Sequence, residues 1–284
     1  MGLITDMTTK LAGVVRPVSV SLKPFSRRSA AFSGLVAILG FFTACVAVGA
    51  PKTNDPAKKL NHARLLLRDD RPLPAERLIS ESMKIYQSRE DQGGLADAQS
   101  TYAQFLVGDA VEGMAGWYRD NGFRDSSASF DSRRREGARY FHLAATNYTQ
   151  IGDFADATNA YFDLGIVQSR FDDREPACRA FTDSLKSFYN YLRWDPALEV
   201  RVPNGVASYE EYVITPAVAA GCPVAAELID QSEEGADDRN ARELALVAET
   251  LVLARDILGP NHTAITGISE FRQQVFDRQR RASE

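Results

Sequence analysis

The sequence is poor in the residues that hold metals and build redox centres. It has three cysteines, Cys45, Cys178 and Cys222, and three histidines, His62, His142 and His262. None falls into an HExxH, a CxxC or a pair of histidines at ligand spacing, so neither a metal site nor a dithiol centre is expected. No GxSxG marks a nucleophile elbow. The glycines of "GDAVEGMAGWYRDNG" (108–122) stand in the wrong order for a phosphate-binding loop. Trp117 and Tyr118 within it read as core or groove. The expectation is a protein that is not an enzyme and that uses no cofactor and no metal.

Basic charge is short as well. Lysine and arginine total 33 against 38 aspartates and glutamates, a formal net charge of −5. A general nucleic-acid binder carries a basic face, so no nucleic-acid partner is expected. The run Arg133–Arg135 is flanked by Asp131 and Glu136 and reads as a solvated helix face. The pairs Asp172–Asp173 and Glu233–Glu234 sit at turns, where they serve as helix N-caps. His142, next to Phe141 on a core-leaning face, reads as a structural histidine.

Strand-like alternation of polar and apolar residues is missing. Apolar residues instead recur at i, i+3, i+4 and i+7 over 57–68, 74–90, 95–107, 136–151, 153–171, 175–192 and 237–258, with a last helix from Thr263 to Gln279. The fold class is therefore all-α. Two stretches break the pattern. Residues 119–132, rich in Ser, Asp, Asn and Gly, read as a long surface loop, and 193–211 contains Pro196, Pro203 and Gly205, which interrupt a helix. A short helix is expected around a break at Gly221–Pro223, and Gly259–Pro260 ends the helix before it.

One long apolar run exists. Ser29–Ala50 carries no charge and follows Lys23, Arg27 and Arg28, the order of an export signal. Its "FFTAC" (41–45) resembles the lipobox of bacterial lipoproteins. That resemblance implies a signal peptide over 1–44 with a long n-region, lipidation of Cys45, and a tether over 45–56. Val46 resembles the residue found after the cysteine in outer-membrane-destined lipoproteins. The alternative is an uncleaved transmembrane anchor over 29–50, which is long enough to span a bilayer. Either places the rest of the chain in a bacterial cell envelope, facing the periplasm, with a membrane partner at its N-terminus. In that oxidising compartment Cys178 and Cys222 either form a disulfide or remain two buried thiols.

Four decapeptides share a grammar: "DRPLPAERLI" (70–79), "GGLADAQSTY" (93–102), "GDFADATNAY" (152–161) and "DDREPACRAF" (172–181). Each opens on a turn former, has alanine sixth and ends on a large apolar residue. A small residue on the first turn lets antiparallel helices approach, and a residue four further on shares its face. The pattern resembles the tetratricopeptide repeat, a helix-turn-helix of 34 residues. Counted from Ala138, its characteristic places are held by Phe141, Ala145, Tyr148, Ala157 and Tyr161, with Gly152 at the turn and Leu164 where alanine is usual. "LGPNHT" (258–263) is similar to a junction in the kinesin light chain type of these repeats.

The resemblance implies stacked helix pairs forming a short solenoid over 57–192. An irregular connection with a short helix would follow over 193–235, and a C-terminal helical hairpin over 236–280 would pack on the repeats. A plain helical bundle obeys the same packing rules. For the repeat fold, function through shape is expected: a scaffold that binds partner proteins of an envelope assembly or transport machine in a groove. Arg139, Thr146 and Gln150, on the first helix of the pair, are the candidate groove residues. The alternative is a carrier of a lipid or other apolar ligand, which needs an enclosed apolar cavity.

Overall fold

The computed structural model describes residues 53–195, 202–206, 208–222 and 238–283. Among these residues the chain is all-α. Eleven helices are present and no strand: α1 Pro56–Arg68, α2 Pro72–Ser88, α3 Gln92–Val107, α4 Asp109–Glu112, α5 Ala115–Asn121, α6 Arg133–Gln150, α7 Phe154–Gln168, α8 Glu175–Trp194, α9 Tyr209–Ala219, α10 Asp238–Leu258 and α11 Thr263–Ser283. Cys45, the segments 1–44 and 29–50, and most of the 45–56 tether lie outside the described residues. No helix among those described is long and apolar enough to cross a membrane.

Local chemistry starts these helices. Asp55 Oδ1 accepts from the backbone N–H groups of Ala57 and Lys58 at 3.0 and 3.3 Å, with Pro56 at the first helical position. Asp91 and Asp153 cap α3 and α7 in the same way, accepting from Gly94 at 2.8 Å and from Asp156 at 3.2 Å. Ser208 Oγ caps α9 through the Glu211 N–H. At α11 the cap is an imidazole: His262 Nδ1 accepts from the Ala264 N–H at 3.2 Å.

Three connections end their helices identically. In α1–α2, α2–α3 and α6–α7 three residues intervene, and the middle one is left-handed: Asp70 (φ 54°), Glu90 (φ 54°) and Gly152 (φ 77°). Each middle N–H, and the N–H after it, returns to the last turn of the helix just ended, on Leu67 and Leu66, Gln87 and Tyr86, or Thr149 and Tyr148. That is the Schellman termination, and it satisfies carbonyls the helix itself leaves open. Gly221 and Cys222 repeat it after α9, bonding Val218 and Ala217.

Helices adjacent in sequence pack on each other: α1 on α2, α2 on α3, α6 on α7, α7 on α8, α9 on α8 and α10, and α10 on α11. The exception is α6, which packs along α3 because α4 and α5 are inserted between them. Alternate helices also touch, α1 with α3 and α7 with α9. Ser82 of α2 donates within reach of the Pro56 carbonyl of α1 at 3.0 Å, and Ser184 of α8 donates to the Thr158 carbonyl of α7 at 2.8 Å. Both bonds span 26 residues.

Core packing follows the small residues. Ala75, Ala98, Ala157 and Ala177, the sixth residues of the four decapeptides, are all fully buried. Ile79, Tyr102 and Phe181 are buried beside them, while Tyr161 is half-buried. The buried apolar residues form an N-terminal core around Leu60, Ile79, Tyr102 and Phe105, a C-terminal one around Phe181, Tyr189, Val213, Val247 and Phe271, and two smaller clusters, one mostly alanine (Ala96, Ala144, Ala145, Ala157 and Ala160 with Tyr148) and one around Phe141, Leu164 and Val167. A disulfide joins Cys178, near the start of α8, to Cys222 behind α9, with Cα atoms 5.3 Å apart.

Several expectations change. The first decapeptide residue turns the chain at Asp70 and Gly152, but Gly93 lies inside α3 and the turn there falls on Glu90. The following Gly94 serves close approach instead, because a Cβ at that position would stand 2.1 Å from the Tyr86 ring. Residues 119–132 are not a plain surface loop: Phe123, Ala128 and Phe130 are buried, together with Tyr118 of α5. Arg133 is not on a solvated face either. It is buried, pairs with Glu112, donates to the Phe130 carbonyl at 2.7 Å and stacks 3.9 Å over the Phe130 ring. His142 is exposed rather than structural. Finally, α8 runs to Trp194 and α9 begins at Tyr209, carrying Pro216 inside it, so the irregular stretch is shorter than 193–211.

Candidate functional site

A groove of ≈ 570 Å³ opens between α2, α3 and α6. Its floor is α3, where Leu95, Gln99 and Tyr102 lie on one stripe at spacings of four and three. One wall is α2, through Ser80, Met83, Lys84 and Gln87, again spaced by helical turns. The opposite wall is α6, through Arg139, Tyr140 and Leu143, and the Arg124–Asp125 segment of the insertion closes one end.

Buried polar groups fix that end. Glu76 of α2 is only 2% exposed, and its Oε1 accepts from the Arg124 backbone N–H at 2.5 Å and from the Tyr102 hydroxyl at 3.5 Å. Burial raises its carboxyl above the ordinary range, while the Arg124 hydrogen bond and charge and the Tyr102 hydroxyl pull the other way. Tyr118 OH, buried close enough to feel the Glu76 charge, has no hydrogen-bond partner among the described residues.

Asp125 is held from three sides. The Tyr140 hydroxyl donates to its Oδ2 at 2.7 Å, Ser127 donates to Oδ1 through its N–H and hydroxyl at 3.0 and 2.8 Å, and Arg139 stands 3.6 Å from Oδ2. Burial alone would raise the Asp125 carboxyl, but those hydrogen bonds and the Arg139 charge hold it below its usual value. Burial and the same aspartate push the Tyr140 phenol up to about 12. Arg139 also pairs with Glu136 at 2.6 Å and lies 4.4 Å above the Tyr140 ring.

An aromatic chain ties this end to the inserted helices. Tyr140 meets Tyr102 edge-on at 4.9 Å, Tyr102 stacks on Phe105 at 5.4 Å, Phe105 meets Phe123, and Phe123 stacks on Tyr118 at 4.4 Å. Pairs of this kind contribute about 0.5–1.5 kcal/mol each beyond the area they bury. The groove wall and the insertion are therefore one packed unit.

Of the groove residues named from sequence, Arg139 lines this groove. Thr146 and Gln150 share its stripe on α6 but are not among the lining residues, and the Thr146 hydroxyl bonds back to the His142 carbonyl at 2.8 Å. Lys84, Arg124 and Asp125 were not foreseen. The first reads as an ordinary exposed helix lysine, and the other two fall in the stretch whose composition reads as loop.

Phe141, Ala145, Tyr148 and Ala157 are buried between helices, and Gly152 makes its turn in open space, so only its left-handed backbone favours glycine there. His62 lies in α1 with a buried Nε2 that has no partner among the described residues. No group of three or more His, Cys, Asp or Glu side chains among the described residues is arranged to hold a metal ion. A second cavity, of ≈ 610 Å³, is lined by Glu249, Val252, Leu253, Arg255 and Asp256 of α10.

No family model, characterised protein or solved structure matches this chain.

Proposed function

We propose that the protein is a non-enzymatic scaffold of the bacterial cell envelope. On this reading it is tethered through Cys45 or the 29–50 segment and binds partner proteins on stacked, tetratricopeptide-like helix pairs. The observation that carries this reading is the lining of the groove between α2, α3 and α6. Lys84, Gln87, Gln99, Arg124, Asp125 and Arg139 stand beside Met83, Leu95 and Leu143. A mixed lining suits the side chains and backbone of a protein segment, whereas a carrier of apolar ligands needs an enclosed apolar one.

Two further features support it. The matching Ser82 and Ser184 bonds, each reaching 26 residues back to a carbonyl of the preceding helix, support a repeated helix-pair architecture. The Cys178–Cys222 disulfide suits an oxidising compartment outside the cytosol.

The test is purification of the tagged full chain from its own membranes in mild detergent, with mass spectrometry of the copurifying proteins and of the organic extract. A stoichiometric protein partner, with no lipid beyond the anchor, is the expected result. A specific lipid retained by Cys45→Ala, with no protein partner, overturns the scaffold in favour of the carrier.

A further inference from the structure

The groove between α2, α3 and α6 differs electrostatically from the chain that contains it. The whole sequence carries a formal charge of −5. Among the described residues that line the groove, the cations Lys84, Arg124 and Arg139 face the single carboxylate of Asp125. Arg139 is already engaged by Asp125 and Glu136. Lys84 Nζ and the Arg124 guanidinium make no hydrogen bond or ion pair among the described residues.

These two charges sit on opposite mounts. Lys84 projects from α2, and Arg124 is carried by the insertion, where the buried Glu76 carboxylate holds its backbone N–H at 2.5 Å. The mount of Arg124 is thus fixed from inside the core while its charged head stays exposed. Met83 and Leu143 offer apolar contact on the two walls.

We propose that this groove seats an acidic, extended segment of a partner protein, whose carboxylates pair with Lys84 and Arg124 and whose apolar side chains lie against Met83 and Leu143. The proposal rests on the scaffold reading above and names the chemistry of its partner. Charge complementarity of this kind selects partners and speeds encounter, and it weakens with salt. A concave site between helices fits a chain segment better than it fits the plane of a membrane surface.

The test uses the full-length chain in mild detergent and a fluorescent peptide of alternating glutamate and leucine, with a lysine–leucine peptide as the charge-reversed control. The acidic peptide binds, the basic one does not, and Lys84→Glu/Arg124→Glu weakens acidic binding by about tenfold or more. Both residues are exposed, so circular dichroism and the thermal midpoint stay at their wild-type values. Equal binding of the two peptides, no binding of the acidic one, or binding indifferent to the double substitution overturns the proposal. So does binding to phosphatidylglycerol vesicles, but not to the peptide, through the same two residues. If the double variant still copurifies the native partner from membranes, the acidic-segment proposal fails while the scaffold reading stands.

Discussion

Ser184 Oγ donates to the Thr158 carbonyl at 2.8 Å, clamping α8 onto α7, and accepts from the buried Tyr209 hydroxyl of α9 at 2.7 Å. One hydroxyl thus fastens three consecutive helices. Its counterpart Ser82 fastens two, reaching the Pro56 carbonyl of α1 and the Leu78 carbonyl of its own helix. Ser184→Ala leaves the Tyr209 hydroxyl without its partner in a buried site and is expected to cost about 1–3 kcal/mol. Ser82→Ala strands no side-chain group and should cost about 1 kcal/mol. Urea denaturation of both variants checks the order, and equal losses would remove the three-helix role of Ser184.

The disulfide closes a loop of 44 residues that contains all of α9. Replacing Cys178 and Cys222 by alanine is expected to lower stability by about 2–4 kcal/mol. Hydrogen exchange should then rise in α9 and α10, where the C-terminal core lies, while α1–α3 keep their protection. Uniform loss of protection along the chain would show that the two cores unfold as one.

Two glycines separate packing from backbone conformation. Alanine at Gly94 meets the Tyr86 ring at 2.1 Å, so the ring has to leave its place, at an expected cost of about 1–3 kcal/mol. Alanine at Gly152 meets nothing, and its cost of about 1–2 kcal/mol is the left-handed backbone alone. Glu90 occupies the same left-handed place without being glycine, so Glu90→Gly is expected to stabilise by a few tenths of a kcal/mol or more. Thermal midpoints of the three variants decide it.

Buried carboxylates set the pH dependence. Burial raises Asp163 to about 6 and lifts Glu76 and Glu210 above their ordinary 4.5. A folded-state pKa above the unfolded one means that the native chain binds more protons between the two values, so stability falls as pH rises through that window. For Asp163 the window runs from its ordinary 3.8 to about 6. The urea midpoint is therefore expected to rise as pH is lowered from neutral to about 5. Asp163→Asn should flatten the part of that rise between about pH 5 and 6. The depressed carboxyl of Asp125 acts in the opposite sense and only below 3.8.

The helices were legible because their apolar period is carried by residues that end up buried. Leu60, Ala63, Ile79, Tyr102 and Phe141 all lie on the expected faces. Of the insertion, Tyr118 was legible as core or groove and is buried, but Phe123 and Phe130 were not, being isolated aromatics set among Ser, Asp and Gly with no period at all. Arg133 misled for a related reason: a buried arginine differs from a solvated one only through partners such as Glu112 and Phe130, which lie far along the chain or in an aperiodic stretch. Of the groove, Arg139 could be placed on its helix face from spacing. Lys84 and Arg124 line one groove only in the folded chain, where the Glu76 carboxyl group of α2 holds the Arg124 backbone N–H across 48 residues of sequence.

The most direct test is photocrosslinking in the native envelope, with a photoreactive amino acid placed at Leu143 inside the groove and, separately, at Phe276 on the exposed side of α11. A discrete protein adduct from position 143, and none from 276, is the result expected of a scaffold that works through this groove. Lipid adducts at 143, or protein adducts from 276 alone, would contradict it.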